Sequence, residues 1–471
     1  MRRRDFLSMA AAAALIREPV AAQNRIIHQA TGLKVGEVSP ESAIVWMRLT
    51  KEAERKRDGI LRRGRPEPYP DGLLVESLEG STPGLAGQVR LRYATDASLR
   101  GAVETEWAEV GSQTDFAHQF QLRGLRPATR YHYAAETRDG GAHVPLQGSF
   151  RTAPEPGDQA EVTFAMMTCQ KYSQLDHDAG FHIYDAMRRL SPDFYVTAGD
   201  IVYYDSDDPR ATTVDLARYH WQRMYSFPRH RNLLLDVPGY WEKDDHDTLF
   251  DDAWPGRDPE QMLPLTWDDG LRIFRQQVPM GEKTYRTFRW GRSLQIWLVE
   301  GRDFRSPNNM PDGPGKSVWG AEQKKWLQES MLASDADWKL LINPTPIVGP
   351  DRATKADNLS NQEFQHEGDE FRGWVQKHLP ERFFNINGDR HWQYHSVHPE
   401  SKVQEFSAGP ASDSHAAGTP GEDKRYHRFH RVKGGFLTVN VRRASGETTI
   451  HFRHHDVYGS VVYEYQQSQR V

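Results

Sequence analysis

Only one cysteine, Cys169, occurs in 471 residues, so an intrachain disulfide is excluded. A lone thiol in an oxidising compartment is either buried and inert or holding something. Long apolar runs are missing as well. Mean hydropathy is -0.76, and no window approaches the ~20 uninterrupted apolar residues of a membrane span, so none is expected past the N-terminus. Massed basic charge is absent: 60 Lys and Arg are scattered among 65 Asp and Glu, for a net charge of -5. Nothing suggests a nucleic-acid-binding surface. The negative balance would repel an anionic substrate unless bound cations reverse the local field.

What remains is ample for a core: 37% hydrophobic and 11% aromatic residues, in a length suited to two or three domains. The chain opens "MRRRDFLSMAAAAALIREPVAAQ". Arg3 and Arg4 precede a short apolar run, and Val20 to Ala22 offer small residues for cleavage. The layout over residues 1–22 resembles a twin-arginine signal peptide; the other reading is a basic amphipathic starter helix. A signal would imply a bacterial protein that meets the twin-arginine export machinery and works in the periplasm or outside the cell.

From Ile27 to Thr152 the signals are β. "SAIVWMRL", "QVRLRYAT" and "HQFQLRGLRPATRYHYAAET" alternate as strands broken by turn residues. The run Leu122, Leu125, Pro127, Thr129, Tyr131, Tyr133 resembles a fibronectin type III sandwich over residues 27–153, with a corner tyrosine and Trp46 in its core. The charged, Gly- and Pro-containing stretch Lys51 to Gly87 reads as a long inserted loop. After Pro154 strands alternate with helices, which argues for an α/β layered domain over residues 160–471. "VTFAMMT", "PDFYVTAGD", "SLQIWLVE" and "WKLLIN" are its strands, "FHIYDAMRRL" and "GAEQKKWLQESMLA" its helices, and the tail returns to β.

In such folds ligands bind beyond the carboxyl ends of strands. Cys169 follows the first strand and Asp200 the second; "WEKDDHD" follows "LLLDVPGY", and "GDRH" (Gly388 to His391) follows the last. Singly each is an ordinary polar turn. In this order, each at a strand end, they form a constellation.

The order resembles the calcineurin-like metallophosphoesterases, with consistent departures: "TCQ" for Asp-x-His, "DDHD" for Gly-Asn-His-Asp, and "GDRH" for Gly-His-x-His. Those departures, with "GDIVY" and the sandwich in front, look like the alkaline phosphatase D family. The resemblance implies a two-sheet αββα metallophosphoesterase sandwich behind a small all-β domain. It implies an exported phosphatase that attacks phosphomonoesters or phosphodiesters, small or on a cell surface, with a metal-activated hydroxide. Cys169 and Tyr203 would suit Fe3+, with Asp200 bridging and His391 on the iron side. Asp245, Asp389 and Asn343, at the position of the family's lone histidine, would suit Ca2+, with Zn2+, Mn2+ or Mg2+ as other occupants. His246 would be the catalytic acid, oriented by Asp247. Arg302 and Arg305 stand where the family places its arginines, in "VEGRDFRSPN" rather than Leu-Asp-Thr-Arg; they and Arg390 either meet transition-state charge or form salt bridges. His395 is a reserve proton donor. The loop "NPTPIVGPDRATKADNLSN" is expected to rim the pocket. Alternatives are a purple-acid-phosphatase-like enzyme with a dinuclear iron or iron–zinc centre, and a non-enzymatic surface-binding protein with a structural metal.

Overall fold

Side chains on a strand alternate between its two faces, and in strand Val162–Met167 that alternation sets the layers. Phe164 and Met166 enter one core, Ala165 and Met167 another. A computed structural model describes residues 27–138 and 145–471; the signal-like segment lies outside the described residues. The same parity recurs in the facing sheet, where Leu340 and Ile342 point to the shared core and Leu341 to the outside. Phe164, Val196, Ile296 and Phe384 meet between the sheets. Helices His182–Leu190, Val214–Tyr225 and Trp267–Gln277 cover one outer face. Helices Gly320–Ala333 and Gln365–His378 cover the other. This is the expected αββα sandwich.

The first sheet has nine strands. The tail strands Phe436–Ala444, Glu447–His455 and Val461–Arg470 pair in turn on one side of Val162–Met167; Phe194–Ala198 and Gly239–Glu242 run parallel to it on the other. The second sheet has seven strands, with Leu294–Leu298, Trp338–Asn343 and Phe383–Asn387 parallel at its centre. The strand expected around "LLLDVPGY" begins only at Gly239, because Leu233 to Asp236 end a helix, Pro228–Asp236. No helix among the described residues is long and apolar enough to cross a membrane.

The N-terminal β region is a sandwich whose two halves differ. Gly87–Ala94, Arg130–Thr137 and Leu146–Arg151 form most of a separate sheet. Leu33–Gly36, Ser42–Arg48 and Ala117–Arg123 instead continue the nine-stranded sheet, since Gly36 pairs in parallel with Gly239. The corner tyrosine is Tyr131, whose hydroxyl accepts the Arg126 N–H at 2.9 Å. Trp46 is not in the sandwich core: Val45 and Met47 point there, so Trp46 faces the other way. It is fully buried, donates to the Gln276 carbonyl at 2.7 Å and stacks under the Lys34 ammonium. The inserted loop has one short 3-10 turn, Val75–Ser77, and docks on the α/β layers: Arg55 pairs with Glu79 at 3.0 Å, and Glu79 accepts from Tyr172.

Deleting residues 27–153 would expose the Gly239–Glu242 edge and the partners of Trp46 and Glu79. An exposed, apolar parallel edge is an aggregation site. The truncated chain should be insoluble or non-cooperative on heating; a soluble, cooperatively melting product would show that the layers stand alone.

Candidate metal centre

The parallel strands of both sheets end at one place, and their next residues converge there. Two Gly-Asp pairs make the convergence possible. A Cβ on Gly199 would lie 2.5 Å from the Asp244 Cβ, and one on Gly388 would lie 2.2 Å from the Ala198 carbonyl oxygen. Only glycine lets the loops meet so closely. The following residues carry backbone strain: Asp200, Asp389 and Cys169 all lie in the left-handed region, at φ 56, 58 and 52. Aspartate tolerates that region, whereas cysteine reaches it at a cost of about 1–2 kcal/mol. Such outliers gather at functional sites.

Three ligand groups share Asp200. It stands with Cys169 and His391, with Asp245 and His246, and with Asp244 and Asp389, each trio having one ligand atom apiece within 4.8 Å of the others. Both the Tyr203 hydroxyl, at 3.0 Å, and the Cys169 Sγ, at 3.4 Å, donate to Asp200 Oδ2. Asp200 Oδ1, Asp244 Oδ2 and Asn343 Oδ1 are buried with no protein partner. Asn343 spends its amide N–H on the Thr345 carbonyl at 2.6 Å, which leaves that oxygen free. Buried acceptors without donors are costly, and those of Asp200 and Asp244 share a site with a thiol, a phenol and an imidazole. The donor set fits cations. Burial, then the neighbouring acids, pushes Asp200 well above the carboxylate range; Asp244 rises for the same reasons, against Arg302. Burial and Asp200 likewise push Cys169 and Tyr203 up. Burial and His415 keep the His391 imidazole neutral, as a ligand must be.

His246 differs. Burial alone would neutralise it, but Asp205, Asp245 and Asp200 together raise it well above an ordinary histidine. Its Nδ1 donates to Asp205 at 2.7 Å, and its Nε2 stands 3.8 Å from Asp251. Asp205 therefore orients this imidazole, and the expectation for Asp247 is corrected. Both Asp247 oxygens accept backbone N–H groups, from Asp244 at 2.6 Å and Ile201 at 3.1 Å, so this carboxylate ties two ligand loops together. His395 is also corrected: it is held by Tyr463 and Gln404 at 2.9 Å and stacks on Phe406 within the core.

All three arginines are buried. Arg302 reaches Asp244 at 2.5 Å, Asp357 at 3.3 Å and Asp245 at 3.6 Å. Arg390 clamps Asp389 and reaches Asp351 at 3.2 Å. Arg305 instead donates to the Asp357 carbonyl at 2.8 Å, one layer behind the acids. Sequence reasoning missed Asp205, His415 and Asp244 as a candidate ligand with a free oxygen, and it named Asp357 only as one polar residue of the loop 343–361. His415 lies 4.1 Å from the His391 ring and bonds the Cys169 carbonyl at 3.1 Å. Asp244 was the one within reach, since it opens "DDHD"; the others come from loops without pattern.

A family model described as PhoD-like phosphatase matches residues 164–459, and a second, for the N-terminal domain of the same phosphatases, matches residues 14–154. The chain belongs to the PhoD-like phosphatase family. A relative of this PhoD-like chain, alkaline phosphatase D of Bacillus subtilis (strain 168), is 23% identical over 354 residues, covering 66% of the chain and 54% of that protein, so the match spans about half of the relative's length. A solved structure of PhoD superposes with a TM-score of 0.71 at 16% identity, covering 94% of this chain and 90% of that one. A purple acid phosphatase from yellow lupin seeds superposes at 0.60 with 13% identity, covering 92% and 73%. At these identities the likenesses bear on fold.

The two aspartate roles separate by mutation. Asp247→Ala should cost about 1–3 kcal/mol of stability in denaturant, by stranding two buried N–H groups. Asp205→Asn should lower the His246 pKa, followed by NMR titration of its ring proton, and the stability it costs should disappear as pH rises through the wild-type His246 pKa. The reverse pattern would return the orienting role to Asp247.

Proposed function

We propose that the chain is a metal-dependent phosphoester hydrolase acting on phosphomonoesters, phosphodiesters or both. One observation carries the reading: a strained, cation-demanding set of acids lies beside an imidazolium held by its own carboxylate, Asp205 to His246 at 2.7 Å. Family membership supports the same reaction class. A purely structural metal would give no reason to hold His246 charged beside these acids.

Cys169, Tyr203, Asp200 and His391 would hold Fe3+, because a thiolate and a phenolate need a strongly charged ion to displace their protons. Asp200, Asp245, Asp389 and Asn343, joined by Asp244, would hold Ca2+ through hard oxygens. Bound there, such cations supply positive charge to the phosphoryl oxygens and a water acidic enough to act as nucleophile near neutral pH. The chain's own groups do the rest. Asp200 presents one engaged and one free oxygen, which suits a bridging position. Arg302 and Arg390 fix the acids and add positive charge behind them. His246, charged and pinned at Nδ1, keeps the proton on Nε2 for the leaving oxygen. The fold shared with the lupin purple acid phosphatase, together with Tyr203, supports a second reading, a dinuclear iron or iron–zinc centre. Export by the twin-arginine route to the periplasm or beyond belongs to this proposal and rests on Arg3, Arg4 and the apolar run behind them.

Protein purified without added metal should be coloured, from charge transfer between a thiolate or phenolate and Fe3+, and elemental analysis should find calcium beside iron. Cys169→Ser should change the colour and lower iron content. Colourless, iron-free, fully active protein would remove iron from the account, and iron with zinc would favour the second reading.

His246→Ala should slow hydrolysis of alkyl phosphates by about 10²–10⁴-fold, because an alkoxide needs a proton to leave. Nitrophenyl phosphate should suffer far less, since nitrophenolate departs without one. Metal content should stay near wild type. Equal losses on both esters, or loss of a metal, would make His246 a ligand instead.

A further inference from the structure

The stretch 343–361 is polar and long, and toward its C-terminal end Asp357 is wholly buried. Its Oδ2 lies 3.3 Å from Arg302 and its Oδ1 3.8 Å from Arg390, while its backbone carbonyl accepts from Arg305 at 2.8 Å. Asn358 donates to Asp357 Oδ1 at 3.0 Å and to Asp351 Oδ2 at 2.8 Å, and Asp351 in turn holds Arg390 at 3.2 Å. One short segment thus touches all three arginines. Those guanidiniums are not saturated: Arg302 Nη1, Arg390 Nε, and Arg305 Nε and Nη1 are buried without a protein acceptor. Buried cations left with spare donors repel one another and call for an anion.

We infer that Asp357 is a positioning residue for the phosphoryl group, holding Arg302 and Arg390 side by side so that their charge is aimed at one oxyanion. It touches no metal-ligand carboxylate in any hydrogen bond or ion pair among the described residues, and it acts through the arginines that do. Buried ion pairs are weak evidence for stability as such, so a purely architectural role leaves the spare N–H groups unexplained. The inference rests on the phosphoesterase reading, and it assigns the rim loop a part in binding oxyanions rather than in chemistry at the leaving group.

The test uses the intact, metal-loaded chain and inorganic phosphate as probe. Asp357→Asn should weaken phosphate binding, measured by calorimetry, and raise KM for nitrophenyl phosphate, so that kcat/KM falls about 10²-fold while metal content is retained. Asp357→Glu should recover part of the loss. In an Arg302→Gln background, Asp357→Asn should add little, because coupled residues are not additive. Full additivity with Arg302→Gln, or a fall in kcat alone with phosphate affinity unchanged, overturns the inference. Should Asp357→Asn fail to fold, Asn358→Ala loosens the same carboxylate with every charge kept; it should raise KM and the phosphate dissociation constant together, and unchanged values overturn the inference. If the wild type hydrolyses no phosphoester, the phosphoesterase reading fails, whereas calorimetry with phosphate still decides the role of Asp357.

Discussion

Buried carboxylates in one place repel one another, and that repulsion governs this centre. Asp200, Asp244, Asp245 and Asp389 are all buried where two sheets end. In a low dielectric, like charges a few ångströms apart cost several kcal/mol each. The chain answers on one side only. Arg302 reaches Asp244 and Asp245, and Arg390 clamps Asp389. Asp245 is thereby held below the usual carboxylate range despite its burial, with His246 and Lys355 adding to the effect of Arg302. The oxygens on the other side, Asp200 Oδ1 and Asp244 Oδ2, are left without donors. Protein cations alone therefore do not balance the site, and a centre so arranged demands cations from outside.

Holding mutually repelling groups in place requires a stiff frame, and both halves of the molecule supply it. The ligand loops are the first residues beyond parallel strands whose side chains interlock in a common core. Behind them Asp207 accepts the Tyr172 and Ser173 N–H groups at 2.8 and 3.0 Å, which fixes the loop that follows Cys169. Tyr172 is braced by Glu79 from the inserted loop of the N-terminal sandwich, and Glu79 is itself held by Arg55. The β region is accordingly continuous with the centre in two ways, through the shared sheet and through this buttress.

Much of this was legible because it is periodic or local. Alternation marked Ser42–Arg48 and Gly87–Ala94, β-prone runs marked Val162–Met167, Phe194–Ala198 and Trp338–Asn343, and the polar residues at or just past the ends of those runs marked Cys169, Asp200 and Asn343. Trp46 failed for the same reason that the strands succeeded: alternation says that neighbours face apart, but not which face is the sandwich core. Asp247 failed because adjacency in "DDHD" suggested contact with His246, whereas backbone N–H groups claimed its oxygens first. Asp205 and Asp357 carry no pattern at all. Their roles exist only once separate loops meet, as Asp205 meets His246 across 41 residues of sequence.

The three histidines at the centre show how environment rather than residue type divides the work. The His391 and His415 rings lie 4.1 Å apart, tilted by 40°, and burial keeps both neutral, His415 at a pKa of about 3. The His415 Nδ1–H donates to the Cys169 carbonyl, so its Nε2 retains a lone pair. A neutral imidazole offers one lone pair to a cation, and its single N–H is far too weak an acid to give up its proton near neutral pH. The His246 ring lies 4.3 Å from that of Tyr203, and there the carboxylates outweigh the cost of burial. Its proton is stabilised by charge, and Asp205 fixes the ring that carries it. An imidazole placed beside His391 would lose the carboxylates that keep His246 charged, and one placed beside Asp205 would gain a proton. The carboxylates that an imidazole meets at this centre therefore decide whether it is charged or neutral.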